Sequence, residues 1–140
     1  MTRQEVANLF ARREAAWNAH DVDSIVALYA EDAVVESPLG GTHQGRASIG
    51  AVVKAFFEAF TDATITTDDV VIDGDRVVHV FTMSGTDMGG LMGMDPSGKP
   101  ALVPMVFVCR IADGLIVRER RIYDFTGMLV QIGVLKAKPA

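Results

Sequence analysis

Residues 64–84 read TITTDDVVIDGDRVVHVFTMS. Two runs rich in β-branched residues, 64–72 and 76–84, flank Asp73-Gly74-Asp75. A period of two around an Asp-Gly turn signal predicts a β-hairpin. Downstream, residues 102–111 form a long apolar run, Asp113-Gly114 marks a second hairpin turn, and residues 115–123 return. A loop rich in Gly and Met, residues 85–100, separates the two hairpins. The last run, residues 125–135, mixes Met128, Leu129, Ile132 and Leu135 with Gly133 and is too short for its period to decide between helix and strand.

Upstream of residue 63 the period is helical. Thr2 and Glu5 have the spacing of a capping box. Val6, Leu9, Phe10 and Trp17 then recur on one face, and Arg13 falls on that same apolar stripe. Asn18-Ala19-His20-Asp21 breaks the pattern, and Asp21 can cap a second short helix carrying Val22, Ile25, Val26 and Tyr29 on one face. A short strand over residues 33–37 ends at Pro38 and Gly40-Gly41. A third helix starts near Gly45 with the stripe Ile49, Val52, Val53, Phe56 and Phe60, while Lys54 and Glu58 form an i,i+4 pair on another face. Helices segregated to one side of an antiparallel sheet define an α+β fold. The expected form is a cone-shaped single domain over residues 1–140, with three N-terminal helices packed on a strongly curved, mainly antiparallel sheet. Such a cone has a central cavity, and apolar clefts of this type host small ligands.

Composition narrows the function classes. The chain has 140 residues, 49% hydrophobic and 22% charged. A chain this long buries roughly two-thirds of its unfolded surface and needs no disulfide or metal staple. Cys109 stands alone, so no intrachain disulfide or cysteine-rich zinc site can form. The net charge of -5 argues against a nucleic-acid partner. No apolar run reaches the ~20 residues of a membrane span, and the start, MTRQEV, lacks the apolar core of a signal peptide. The reading is a soluble, cytoplasmic protein with no membrane partner.

The stretch AWNAHDVDSIVALYAEDAV at residues 16–34, followed by Glu36-Ser37-Pro38-Leu39-Gly40 and Gly45-Arg46, resembles the nuclear transport factor 2-like superfamily. The stretch MGMDPSGKP, the strand pair joined through Ala112-Asp113-Gly114, and YDFTGMLVQIG resemble its SnoaL-like polyketide cyclase branch. The resemblance covers nearly the whole chain. It implies cone-shaped α+β domains, often dimeric, among them ketosteroid isomerases, ring cyclases, epoxide hydrolases, dehydratases and proteins that only bind. It does not carry the reference catalytic residues over. The isomerase carboxylate base falls on Ser37, its helix-1 tyrosine on Arg13, and its second oxyanion acid on Phe107. Of the paired cyclase aspartates, the second is Asp124 but the first falls on Arg121, and the cyclase histidine also lands on Phe107.

The candidate site residues follow. Arg13 on an apolar face demands a paired acceptor, either a structural carboxylate or a carbonyl or carboxylate of a ligand. Glu119 and Arg121 share one strand face with Val117 and Tyr123, while Arg118, Arg120 and Ile122 take the other. The resemblance turns the 121 position inward, where a carboxylate and a guanidinium two apart can polarise a carbonyl or hold a water. The alternative is a solvated or dimer-facing edge. Asp124 reads either as an N-cap or as a base. His79 on an apolar strand reads either as a hydrogen-bonded core or edge residue or as a site group, since histidine is one of few side chains that titrate near neutral pH, and a buried Tyr29 hydroxyl needs a partner. Of Glu36 and Ser37 one faces inward, and the resemblance chooses Ser37, read as a hydrogen-bonding group because no base adjoins it. Met88, with Met92 and Met94, suggests an adaptable apolar flap over the cavity mouth, an ordinary hairpin or a dimer contact. Trp17, Phe107 and Tyr123 complete the substrate-binding set.

The expected function is cofactor-free acid/base chemistry on a small apolar or aromatic carbonyl compound: cyclisation, isomerisation or dehydration. Arg13 and Arg121 would stabilise an enolate oxygen, Glu119 or Asp124 would move the proton, and Tyr29, Ser37 and His79 would orient the ligand. One alternative is an epoxide hydrolase of the limonene-epoxide type, which needs two carboxylates flanking Arg121. Another is a non-catalytic ligand-binding or dimerisation module. No metal and no cofactor is expected, since motifs such as HExxH and a phosphate loop are missing. A homodimer is expected from the resemblance.

Overall fold

The computed structural model describes residues 1–136; residues 137–140, the end of the expected 1–140 domain, lie outside them. Helix α1 (Arg3–Asn18) starts at the Thr2 capping box, in which Thr2 Oγ1 accepts from Glu5 N at 3.1 Å and Thr2 N donates to Glu5 Oε2 at 2.8 Å. Helix α2 (Val22–Val26) is capped by Asp21, and strands β1 (Tyr29–Ser37) and β2 (Gly41–Gln44) follow. Next come α3 (Arg46–Ala59), β3 (Thr64–Asp73), β4 (Arg76–Thr86), β5 (Pro100–Ala112), β6 (Leu115–Tyr123) and α4 (Phe125–Gln131). The six strands form one curved, unclosed sheet in the order β2-β1-β6-β5-β4-β3. Every pairing is antiparallel except β1 with β6. The fold is thus the expected α+β form, with α1, α2 and α3 and the sheet enclosing a common apolar core.

Three local expectations are corrected. Tyr29 does not lie on α2. The helix ends at Val26, Ile116 N donates to Leu28 O at 2.9 Å, and Tyr29 opens β1 opposite Ile116. Pairing with a strand far along the chain overrides the local helical spacing. Strand β2 has no counterpart in the sequence reading, because its four residues have no buried face to alternate. Residues 85, 86 and 100 belong to β4 and β5, which shortens the intervening loop, and Leu91 anchors that loop in the core from a short 3₁₀ turn.

Period two decides which side chains meet. On β5 the odd positions Ala101, Val103, Met105, Phe107, Cys109 and Ile111 are buried. On β6 the alternation carries one irregularity: Arg110 pairs with Arg118 but Ile111 pairs with Ile116. One extra residue at Val117 therefore lets Ile116 and Glu119 both face the core. Beyond it the alternation is regular, and Glu119 and Arg121 face inward while Arg118, Arg120 and Ile122 are exposed.

Candidate functional site

Helix α1 is fixed against the sheet by its polar face. Asn18 bonds the Ile65 backbone twice, with Nδ2 donating to the carbonyl at 3.0 Å and Oδ1 accepting from N–H at 2.7 Å. Glu14 Oε1 accepts from Thr67 N at 2.7 Å. These bonds set the rotation of α1, so Trp17 packs edge-on against Phe56 and Phe57 of α3, while Arg13 points across the core to Cys109 of β5 and Glu119 of β6.

Arg13 meets Glu119 there. Arg13 Nη1 donates to Glu119 Oε1 at 2.5 Å, and both side chains are fully buried. Cys109 Sγ approaches the same oxygen at 3.2 Å. The other oxygen, Oε2, accepts from Tyr29 OH at 2.7 Å and from Arg121 Nε at 2.9 Å. Four donors from α1, β1, β5 and β6 thus converge on one carboxylate. Both guanidiniums also stand over the Phe107 ring, at 4.8 Å for Arg13 and 4.9 Å for Arg121.

The electrostatics follow from this geometry. Burial alone would raise the Glu119 pKa, but Arg13, then Arg121, then the Tyr29 hydroxyl outweigh it and hold the carboxyl at about 2. Burial pushes Tyr29 and Cys109 up, so both stay protonated and serve as donors. Burial disfavours the charge on either guanidinium, yet the attraction of Glu119 raises both. Burial and the Arg13 charge lower His79 to about 3.

In front of the cluster lies a narrow cleft. It is lined by Trp17, Ser37, Phe107, Arg121 and Tyr123, with Val52, Val53 and Phe56 of α3 and Phe81, Met83 and Met105 of the sheet. Its empty space is about 400 Å³ with the open mouth included, but the centre of a water molecule fits in only about 20 Å³ of it. A guest the size of a ring enters only if lining side chains part. Arg121 is the one charged residue on the lining, and no described hydrogen bond uses its Nη1. Ser37 and Tyr123 supply hydroxyls, and burial raises the Tyr123 pKa against the opposing pull of Ser37.

The structure separates the sequence-derived residues into three groups. Trp17, Ser37, Phe107, Arg121 and Tyr123 line the cleft. Arg13, Tyr29 and Glu119 form the buried network behind it. His79, Asp124 and Met88 lie elsewhere. His79 is buried beside Phe10 and bonds Thr67 Oγ1 at 2.9 Å. Asp124 is exposed and caps α4, accepting from Gly127 N at 2.8 Å. Met88 is 57% exposed, and its backbone N–H donates to Ala59 O. Glu36 faces away from the cleft and pairs with Arg118 at 2.9 Å.

Cys109 was absent from the sequence-derived set, although its odd position on β5 shared with Phe107 signals an inward side chain. Among the described residues no three His, Cys, Asp or Glu side chains converge as a metal ion requires. No described helix is long and apolar enough to cross a membrane.

A SnoaL-like domain matches residues 10–119 of this chain. No match is found among curated proteins. Among solved structures, TsrD from Streptomyces laurentii is 26% identical with a TM-score of 0.86, covering 96% of this chain and 99% of its own. IdmH from Streptomyces antibioticus, a proposed polyketide cyclase, is 30% identical with a TM-score of 0.76, covering 91% of this chain and 97% of its own. TerC, co-crystallised with polyporic acid, shares the fold at 21% identity, with a TM-score of 0.78 and coverage of 91% and 98%. With the match spanning most of the cone, from Phe10 on α1 to Glu119 on β6, the chain belongs to the SnoaL-like domain family.

Proposed function

We propose that this protein is a cofactor-free enzyme that binds a small, largely apolar, carbonyl-bearing molecule in the cleft and catalyses cyclisation, isomerisation or dehydration. The observation that carries this reading is Arg121: a guanidinium on the wall of an apolar cleft, locked by Glu119, with Nη1 left for a guest. A preorganised donor in a water-poor site stabilises a developing enolate oxygen and needs little reorganisation. Glu119 does not move the proton in this scheme. Its two oxygens take four donors, and a carboxyl held at about 2 is a weak base. It orients Arg121 instead. The Tyr123 and Ser37 hydroxyls are the groups on the cleft wall that can relay a proton to or from water.

The epoxide-hydrolase reading fits less well, since it needs two carboxylates on Arg121 and Glu119 is its one ion-pair partner among the described residues. The same proposal takes the protein to be a cytoplasmic homodimer. The outer sheet face supports the dimer, because Leu102 of β5 and Ile122 of β6 are 61% and 47% exposed there. A sedimentation mass of one chain would overturn that part.

The test is a thermal-shift and turnover screen with aromatic polyketones, steroids and terpene epoxides, on the wild type and on Arg121→Met. A binder of the native state raises apparent stability. Stabilisation and turnover by a polyketone or steroid, lost in Arg121→Met, supports the reading. Stabilisation without turnover by any of them leaves a binding module and overturns the catalytic claim.

A further inference from the structure

Arg13 and Arg121 share a single carboxylate, Glu119, in a buried cluster that reaches the cleft only at Arg121. Two cations against one anion leave one positive charge unmatched. The groups facing the cluster from the packed elements do not cancel it. From β1, the Tyr29 hydroxyl donates to Glu119 and is neutral. From β5, the Cys109 thiol also contacts Glu119 with its proton retained. His79 of β4 is neutral. Ser37 and Tyr123 carry neutral hydroxyls, and α3 contributes Val52, Val53 and Phe56 to the cleft. Other carboxylates are engaged elsewhere: Glu14 holds Thr67 N, Glu36 pairs with Arg118, and Asp124 caps α4.

A buried unmatched charge is costly in an apolar surround. Part of the cost is offset by the Phe107 and Phe10 rings, whose faces attract the Arg13 guanidinium. Rings carry no net charge, however. Arg13 Nε and Nη2 are buried without a hydrogen-bond partner. We infer that the site is built for a guest that is already an anion before any chemistry, with two guanidiniums on one carboxylate leaving a vacant negative position in front of Arg121 Nη1. The chemical class is an acidic enol, a hydroxyquinone or phenol of low pKa, or a carboxylate, in preference to a neutral ketone.

The inference rests on the proposed function and deepens it. It also explains why the cleft lining has no free carboxylate or imidazole base. A substrate that has shed its proton in water needs none. Arg13 then acts through charge rather than contact. It lies behind the cleft and off its lining, and it competes for the Glu119 compensation that Arg121 would otherwise have to itself.

Two probes separate the cases: 2-hydroxy-1,4-naphthoquinone, an acid ionised at neutral pH, and its neutral O-methyl ether. Calorimetric titration at pH 7.5 should show the acid binding at least about tenfold tighter than the ether. That preference should fade as the solution is acidified through the probe's own ionisation. Arg13→Met fills the same apolar position and restores a one-to-one charge balance, so the acid-to-ether ratio should fall toward one. A merely structural loss in that variant would weaken both probes alike and leave the ratio unchanged, which overturns the inference, as does equal binding of both probes to the wild type. If neither probe binds the folded wild type, the proposed function fails along with it.

Discussion

Arg13 and Glu119 lie 106 residues apart in the chain and meet at 2.5 Å with neither side chain exposed. The contact joins the first helix to the last strand. It also carries the strand position from which Arg121 reaches the cleft. Removing one partner of a buried pair leaves the other charge desolvated and typically costs about 3–5 kcal/mol. Glu119→Gln should therefore destabilise the protein by about that amount in urea unfolding. Glu119→Leu combined with Arg13→Met should cost clearly less than the sum of the two single changes. Additive losses would show that the pair is not coupled.

Acid stability should fall in two stages. His79 sits at about 3 in the folded protein against 6.5 unfolded, and Glu119 at about 2 against 4.5. Both folded values are depressed, so each contribution is complete above the unfolded value and is lost as pH falls toward the folded one. The loss should start near pH 6.5 through His79 and steepen below pH 4.5 through Glu119, with a limiting slope of about 1.4 kcal/mol per pH unit for each group. His79→Gln should flatten the limb between pH 6.5 and 4.5 and keep the lower one. Urea midpoints measured from pH 7.5 to 3.5 decide this, and an unchanged upper limb in the variant would refute the assignment.

Arg121→Lys keeps the charge but not the fork. Arg121 lines the cleft, uses Nε for Glu119 and has no described hydrogen bond at Nη1, and a single ammonium cannot replace that fork. Loss of one preorganised donor to an oxyanion commonly costs about 10²–10³ in kcat. The variant should lose turnover on that scale while its melting temperature changes little, because the Glu119 ion pair can persist. A kcat within a fewfold of wild type would remove Arg121 from the chemistry.

The framework was readable because its signals are periodic. The Asp73-Gly74-Asp75 and Asp113-Gly114 turns, the Thr2 capping box and the alternation through residues 119–123 each have a local cause, and each appears where the pattern puts it, whereas the extra residue at Val117 breaks the alternation before Glu119. Tyr29 and β2 were not readable, since pairing with β6 and with β1 decides them and nothing nearby in the chain signals it. The site divides in the same way. Strand alternation turns Glu119 and Arg121 to one side, and helical spacing puts Arg13 on the apolar stripe. That the three share one carboxylate depends on the crossing of α1 over β5 and β6, which no local period encodes. Asp124 had two open readings. Its bond to Gly127 N and its exposure place it at a helix start, away from the cluster.

Strand β3 ends the sheet, so its outward backbone groups have no strand partner. Asn18 and Glu14 of α1 cover three of them: Ile65 N, Ile65 O and Thr67 N. Unpaired edges recruit other chains, and a buried or half-buried amide left without a partner costs about 1–3 kcal/mol. Asn18→Ala should therefore lose about that much stability by urea unfolding. It should also loosen the register of α1 and weaken binding of any cleft ligand, because Trp17 is the adjacent residue on that helix and lines the cleft. Combined with Glu14→Ala, the exposed edge should promote concentration-dependent self-association detectable by light scattering. If the double variant stays as stable and as dispersed as wild type, α1 is held by its apolar stripe alone and the polar clamp has no role in aiming Arg13 and Trp17.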